Sequence, residues 1–159
     1  MDTTQILCTL RDVKSFFGVF PSHMLPRSVT ETRAVIINAD PHTEKGSHWL
    51  AIYFLSESSS AYFDSYGILP LGPDIRTFIR RNCTVWDYNR RQLQGLTSNV
   101  CGKYCSLFAL YTDGGLPPNN LSGNLTERQQ TDRSKGPSRP NSNRRAAVAV
   151  NAAPAFYKR

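Results

Sequence analysis

Three short apolar runs follow one another at hairpin spacing, at residues 34–38, 49–54 and 61–64. They are rich in β-branched and aromatic residues, and each is too short for a stable helix, so they read as strands. Polar turns separate them, at 40–46 and 57–60. Ser65-Tyr66-Gly67 breaks the third run. Segments with helical periodicity stand on either side, and the order becomes helix, β, β, β, helix, β, helix. Strands bracketed by helices in this way imply an α+β fold. The expected architecture is a small, mostly antiparallel sheet packed against a central helix.

The flanking segments supply the detail. Residues 6–20 read as one or two short helices. Thr9-x-x-Asp12 resembles a capping box, Leu10, Val13 and Phe17 share a face, and Gly18 acts as a stop. Pro73 suits a first helical position, and Ile75, Phe78 and Ile79 then line one side of 74–81. Residues 84–88 alternate and predict a fourth strand. From Val100 the pattern is helical again, with Tyr104, Phe108 and Tyr111 on one stripe and Cys101, Cys105 and Leu107 beside it. Ser98 or Asn99 is the natural N-cap, and Gly114-Gly115 ends the helix.

Pro117-Pro118 divides the 159-residue chain. One domain is expected over 1–118, and a basic, disordered tail over 119–159. The net charge of +7 lies mostly in that tail, because residues up to Pro118 carry 11 basic and 10 acidic side chains. A nearly neutral domain argues against a folded nucleic-acid surface, and leaves weak DNA or RNA contact to the tail. Four cysteines without a CxxC spacing do not make a disulfide framework. Neither a leader segment nor a membrane span is legible, so no membrane partner is expected. The expected setting is an intracellular, reducing compartment: nucleus, cytoplasm or virion. A monomer is expected.

Cys101 opens the last helix, where orphan N–H groups and the dipole favour a thiolate. Gly102 beside it allows close backbone approach. Of the three histidines, His23 and His42 sit near loop prolines, whereas His48 stands directly before a strand. Asp64 ends the next strand. If the two strands pair as a hairpin, His48 and Asp64 meet at one sheet edge. Nucleophile, base and orienting carboxylate then come together. Gln94, in the loop before the helix, can complete an oxyanion hole. Each residue also has a plainer use: a buried thiol, a loop histidine, a turn aspartate, a core tryptophan.

Three ordered motifs carry a family resemblance: Gly46-Ser47-His48-Trp49-Leu50-Ala51, Phe63-Asp64-Ser65-Tyr66-Gly67 and Gln94-Gly95-Leu96-Thr97-Ser98-Asn99-Val100-Cys101-Gly102. Together they resemble the adenovirus-type cysteine proteases, closest to those of Maverick/Polinton-like transposons and related viruses. More distantly they are similar to the SUMO and ubiquitin-like protein proteases. Residues 16–26 and 37–38 look like the family's N-terminal part, so the likeness covers about residues 5 to 116. It implies a His48–Asp64–Cys101 triad, Gln94 on the oxyanion hole, and a narrow groove lined by Trp49 that prefers glycine before the scissile bond. The implied activity is endopeptidase cleavage of viral or transposon precursor proteins through a thioester. The alternatives are a ubiquitin-like modifier isopeptidase and an inactive relic or binding module. Adenoviral enzymes carry a cysteine, at similar spacing to Cys83, that bonds an activating peptide. The alternative for Cys83 is a partly buried strand-edge thiol. No metal or small cofactor is expected; an activating peptide or DNA is the only helper in view.

Overall fold

A computed structural model describes residues 1–30, 32–39 and 48–118, with the backbone of 129–130. The expected 40–46 turn, His42 and the rest of the tail lie outside the described residues.

Helix α1 (Thr3–Leu10) starts on a capping box, but its members are Asp2 and Gln5 rather than Thr9 and Asp12. Strand β1 (Phe16–Pro21) follows. This stretch was expected to be helical, and the strand arises because residues 16–21 can pair with the central apolar run. Gly18 borders a bulge rather than acting as a stop: it pairs with Val35 of β2 (Arg33–Asn38), and the register shifts between Phe16 and Gly18, leaving Phe17 as the extra residue. A short 3-10 helix (Ser22–Met24) begins the crossover from β1 to β2. Strands β3 (Trp49–Phe54) and β4 (Ser59–Asp64), helix α2 (Pro73–Asn82), strand β5 (Val85–Tyr88), helix α3 (Cys101–Asp113) and the two-residue β6 (Gln129–Gln130) complete the order.

The fold is α+β, and its sheet is mixed. Among the described residues the strands lie in sequence order from β1 to β6. The central β2–β3–β4 meander is antiparallel, and so is β5–β6. The pairs β1–β2 and β4–β5 are parallel. The helix spanning the gap between β4 and β5 explains the second: a crossover that long returns the chain to run the same way.

Every residue of β3 is buried, which a strand covered on both faces requires. On one face Ala51, Tyr53 and Phe63 pack against Ile6 and Leu10 of α1 and Cys105 and Phe108 of α3. Phe63 stacks on Phe108 at 4.8 Å, a contact that adds about 1 kcal/mol beyond its area. On the other face Val35, Ile52 and Phe54 meet Ile75, Phe78 and Ile79 of α2. The buried stripe of α3 is Cys101, Cys105, Phe108 and Thr112. Leu107 and Tyr111 are exposed, so the expected aromatic stripe holds only at Phe108 and, partly buried, at Tyr104. Val100, not Ser98 or Asn99, is the N-cap, with no side-chain cap bond.

Candidate active site

The β3–β4 hairpin builds half of the site. Leu50 pairs with Asp64, so His48 and the residues just after Asp64 leave the sheet at one edge. His48 Nε2 lies 2.9 Å from Asp64 Oδ1, and both side chains are almost wholly buried. The spacing argument for this pair holds.

Asp64 is fixed from three directions. Its Oδ1 also accepts the Tyr66 N–H at 2.8 Å. Asn89, just past β5, clamps its backbone: the Asp64 N–H donates to Asn89 Oδ1 at 2.8 Å, and Asn89 Nδ2 donates to the Asp64 carbonyl at 2.5 Å. The Gly67 N–H closes the turn onto the same carbonyl at 2.8 Å. Gly67 takes φ 70°, and a Cβ there would lie 2.7 Å from the Arg90 carbonyl oxygen. Only glycine fits both demands.

The same turn grips the loop before α3. The Ser65 carbonyl accepts the N–H groups of Leu93 and Gln94, at 2.8 and 3.0 Å. Ser65 Oγ donates to Gln94 Oε1 at 2.8 Å. From the other side Tyr104 Oη donates to the Leu93 carbonyl at 3.0 Å. The loop thus hangs between β4 and α3. Sequence reasoning treated Ser65 and Tyr66 as strand breakers and passed over Asn89. Their signal was position: polar residues directly after an orienting carboxylate or a strand end.

Cys101 opens α3 and is buried but for 6% of its surface. Burial raises its pKa. The His48 hydrogen bond, backbone donation from Trp49 and Gly102, and the His48 charge outweigh burial and bring the thiol below its ordinary value. Burial likewise disfavours charge on His48. Hydrogen bonds to Asp64 and Cys101, with the negative charges of both, prevail and raise it from 6.5 to about 9. His48 Nδ1 is buried with no partner at full hydrogen-bonding geometry. The sulfur and the ring are coupled electrostatically, each shifting the other. Both shifts run in the direction that favours charge on the two groups.

No family model matches this chain, and no curated protein matches it significantly.

The remaining expected site residues fall in different places. Trp49 stands at the start of β3, and its indole N–H donates to the Met1 carbonyl at 3.0 Å. A Cβ on Gly102 would meet Met1 Cβ at 3.0 Å and the Trp49 ring at 3.3 Å. Gly102 and Trp49 therefore touch, with the N-terminal residue over both. Gln94 lies within the cluster, but both its N–H groups are engaged, by Tyr66 Oη and the Ser98 carbonyl. Cys105 is fully buried and donates to the Trp49 carbonyl at 3.2 Å; burial, then the charges of Cys101 and Asp64, push its pKa well up. It is a structural thiol. Cys83 is also fully buried, 3.0 Å from Ser60 Oγ and donating to the Ile79 carbonyl. A disulfide to an outside peptide needs an exposed sulfur, and Cys83 does not offer one. Among the described residues no cluster of His, Cys, Asp or Glu could hold a metal, and no helix is long and apolar enough to cross a membrane.

The two charged groups act oppositely on stability. The folded pKa of His48 lies above its unfolded one, so its contribution is full below pH 6.5 and lost as pH rises through about 9. The folded pKa of Cys101 lies below its unfolded one, so its contribution is present above 9.0 and lost as pH falls through the folded value. Where the folded pair is ionised between pH 6.5 and 9, the folded and unfolded pairs each hold one proton, and the two dependences cancel.

Proposed function

We propose that the chain is a cysteine endopeptidase acting on precursor proteins of a virus or virus-like transposon, cleaving after small residues. One observation carries the reading: a depressed-pKa cysteine at a helix start meets a buried histidine held by a buried aspartate. Cys101 Sγ attacks the scissile carbonyl carbon, and the carbonyl π pair moves to oxygen. As the tetrahedral adduct collapses, the C–N bond breaks and His48 gives its proton to the leaving amine. Water, deprotonated by His48, then opens the thioester and frees Cys101. Asp64 holds the ring so that one nitrogen always faces the sulfur. The preference for small residues is what the family resemblance implies.

The test pairs wild type with Cys101→Ala. Glycine-rich junction peptides and fusions to ubiquitin-like modifiers are offered separately. Cleavage of the peptides by wild type alone is the expected result. Cleavage of the modifier fusions alone reassigns the chain as an isopeptidase, and cleavage of neither by a reactive Cys101 removes the hydrolase reading.

A further inference from the structure

Strand β5 stops short of the site, and a side chain takes over where its backbone leaves off. The last ladder pair between β4 and β5 is Tyr62 with Tyr88. Asp64 lies two residues further along β4, beyond that ladder. Asn89 supplies its missing partner. Asn89 Oδ1 accepts the Asp64 N–H at 2.8 Å, and Nδ2 donates to the Asp64 carbonyl at 2.5 Å. One residue's N–H and carbonyl are thus both satisfied by one amide, as a neighbouring strand's peptide groups would satisfy them. Nδ2 also donates to the Arg91 carbonyl at 3.3 Å. The way the amide faces is decided by all three partners, because an N–H can only donate and a carbonyl can only accept.

Asn89 and Asp64 are both buried. The demand on position 89 is narrow. An aspartate has no hydrogen for the Asp64 carbonyl at neutral pH, and a serine has one oxygen to do the work of two atoms. The grip matters because of what Asp64 carries. Its Oδ1 lies 2.9 Å from His48 Nε2 and accepts the Tyr66 N–H at 2.8 Å. A carboxylate on so short a side chain goes where its backbone goes. Loosening the backbone therefore loosens the bond to the ring.

We infer that Asn89 is a positioning residue for the reaction: by pinning the Asp64 backbone it sets the carboxylate against His48, and so fixes the ring that serves Cys101. The inference rests on the protease reading above. Asn89 acts through two other residues and takes no part in proton transfer. Asn82 provides an internal comparison. It is another buried asparagine whose amide ties two backbone groups, accepting the Val29 N–H at 2.8 Å and donating to the Phe78 carbonyl at 2.9 Å. Those partners belong to α2 and to the crossover before β2, not to the site.

Asn89→Ala and Asn82→Ala remove equivalent bonds, so their denaturation midpoints should fall by similar amounts. Only Asn89→Ala should alter the site. Its kcat on glycine-rich junction peptides should fall about 10- to 100-fold with KM within about threefold, because a displaced carboxylate misplaces the ring. By NMR its His48 should titrate roughly one unit below the wild-type value of about 9. In an Asp64→Asn background the same substitution should cost less than about threefold in kcat, since the two residues act as a unit. Asn89→Ser can keep one of the two bonds to Asp64. It should fall between, and it takes the place of Asn89→Ala if the alanine variant does not fold. A folded variant with wild-type kcat, or with a wild-type His48 titration, overturns the inference. So does an equal loss in Asn82→Ala, which makes the effect one of stability, and so does a full additive loss on Asp64→Asn. Failure of both Asn89 variants to fold while Asn82→Ala folds makes the residue structural and overturns it as well. Failure of the protease reading is seen separately, before any variant is made: wild type then cleaves no peptide, and its Cys101 reacts no faster than a free thiol.

Discussion

Asp64→Asn is the substitution that isolates the charge on the carboxylate. The asparagine keeps an oxygen for His48 Nε2–H and for the Tyr66 N–H, and the Asn89 clamp on the backbone is untouched. The charge goes, and an NH2 group replaces the second carboxylate oxygen. The rise of His48 from 6.5 to about 9 corresponds to about 3 kcal/mol in favour of the imidazolium. Burial opposes that rise, so the favourable partners together exceed it. Asp64 is the largest of them, and Cys101 remains after substitution. Losing a neighbouring opposite charge moves a pKa by roughly 1–3 units. His48 should therefore titrate at about 6–8 in the variant. Protein labelled with 15N at its histidines reports this directly by NMR, with a His48→Gln spectrum to assign the signal. At pH 8 the wild-type ring remains mostly charged, while the variant ring is about half neutral or more. A variant His48 still titrating near 9 would mean that Asp64 does not hold the charge, and the orienting role given to it would be wrong.

Two further outcomes follow from the same geometry. Cys101→Ala removes the thiolate side of the cancellation, so unfolding free energy should fall by about 1–3 kcal/mol from pH 6.5 to 9, where wild type stays flat over the range in which its pair is ionised; a flat profile in Cys101→Ala contradicts the raised His48. Gly67→Ala should cost about 2 kcal/mol in chemical denaturation and slow Cys101 alkylation, whereas Gly95→Ala, with open space around it, should change stability by only a few tenths; equal costs at both sites would refute the turn argument.

The sequence made the central meander legible because its three runs are apolar, short and separated by polar turns. His48 and Asp64 could be paired on paper for the same reason: antiparallel register follows from a tight hairpin. The flanks were harder. Phe16 to Pro21 carries no alternation that separates a strand from a helical turn, and only its partner β2 decides the matter. The parallel β4–β5 pair depends on how α2 lies over the sheet, which periodicity does not report. The α3 stripe was misjudged because aromatic residues occupy its exposed side, at Tyr111, while small ones face the core. Asn89 and Ser65 escaped notice because their work is done through backbone atoms of other segments, and composition holds no trace of that. Gln94 was placed correctly beside the cluster, but where its hydrogens go is a matter of packing alone.

The base and its carboxylate belong to one hairpin, 16 residues apart, whereas the sulfur arrives on a helix much later in the chain. Contacts close in sequence form early, because little loop entropy opposes them. The hairpin can thus assemble while Cys101 is still an ordinary thiol, lacking the Trp49 backbone and the His48 ring that lower its pKa. Cys101 gains the partners that lower its pKa only once α3 has docked. On the protease reading, a newly made copy would then not cut its neighbours before that step, and the rate at which Cys101 takes up an electrophile would report when α3 docks.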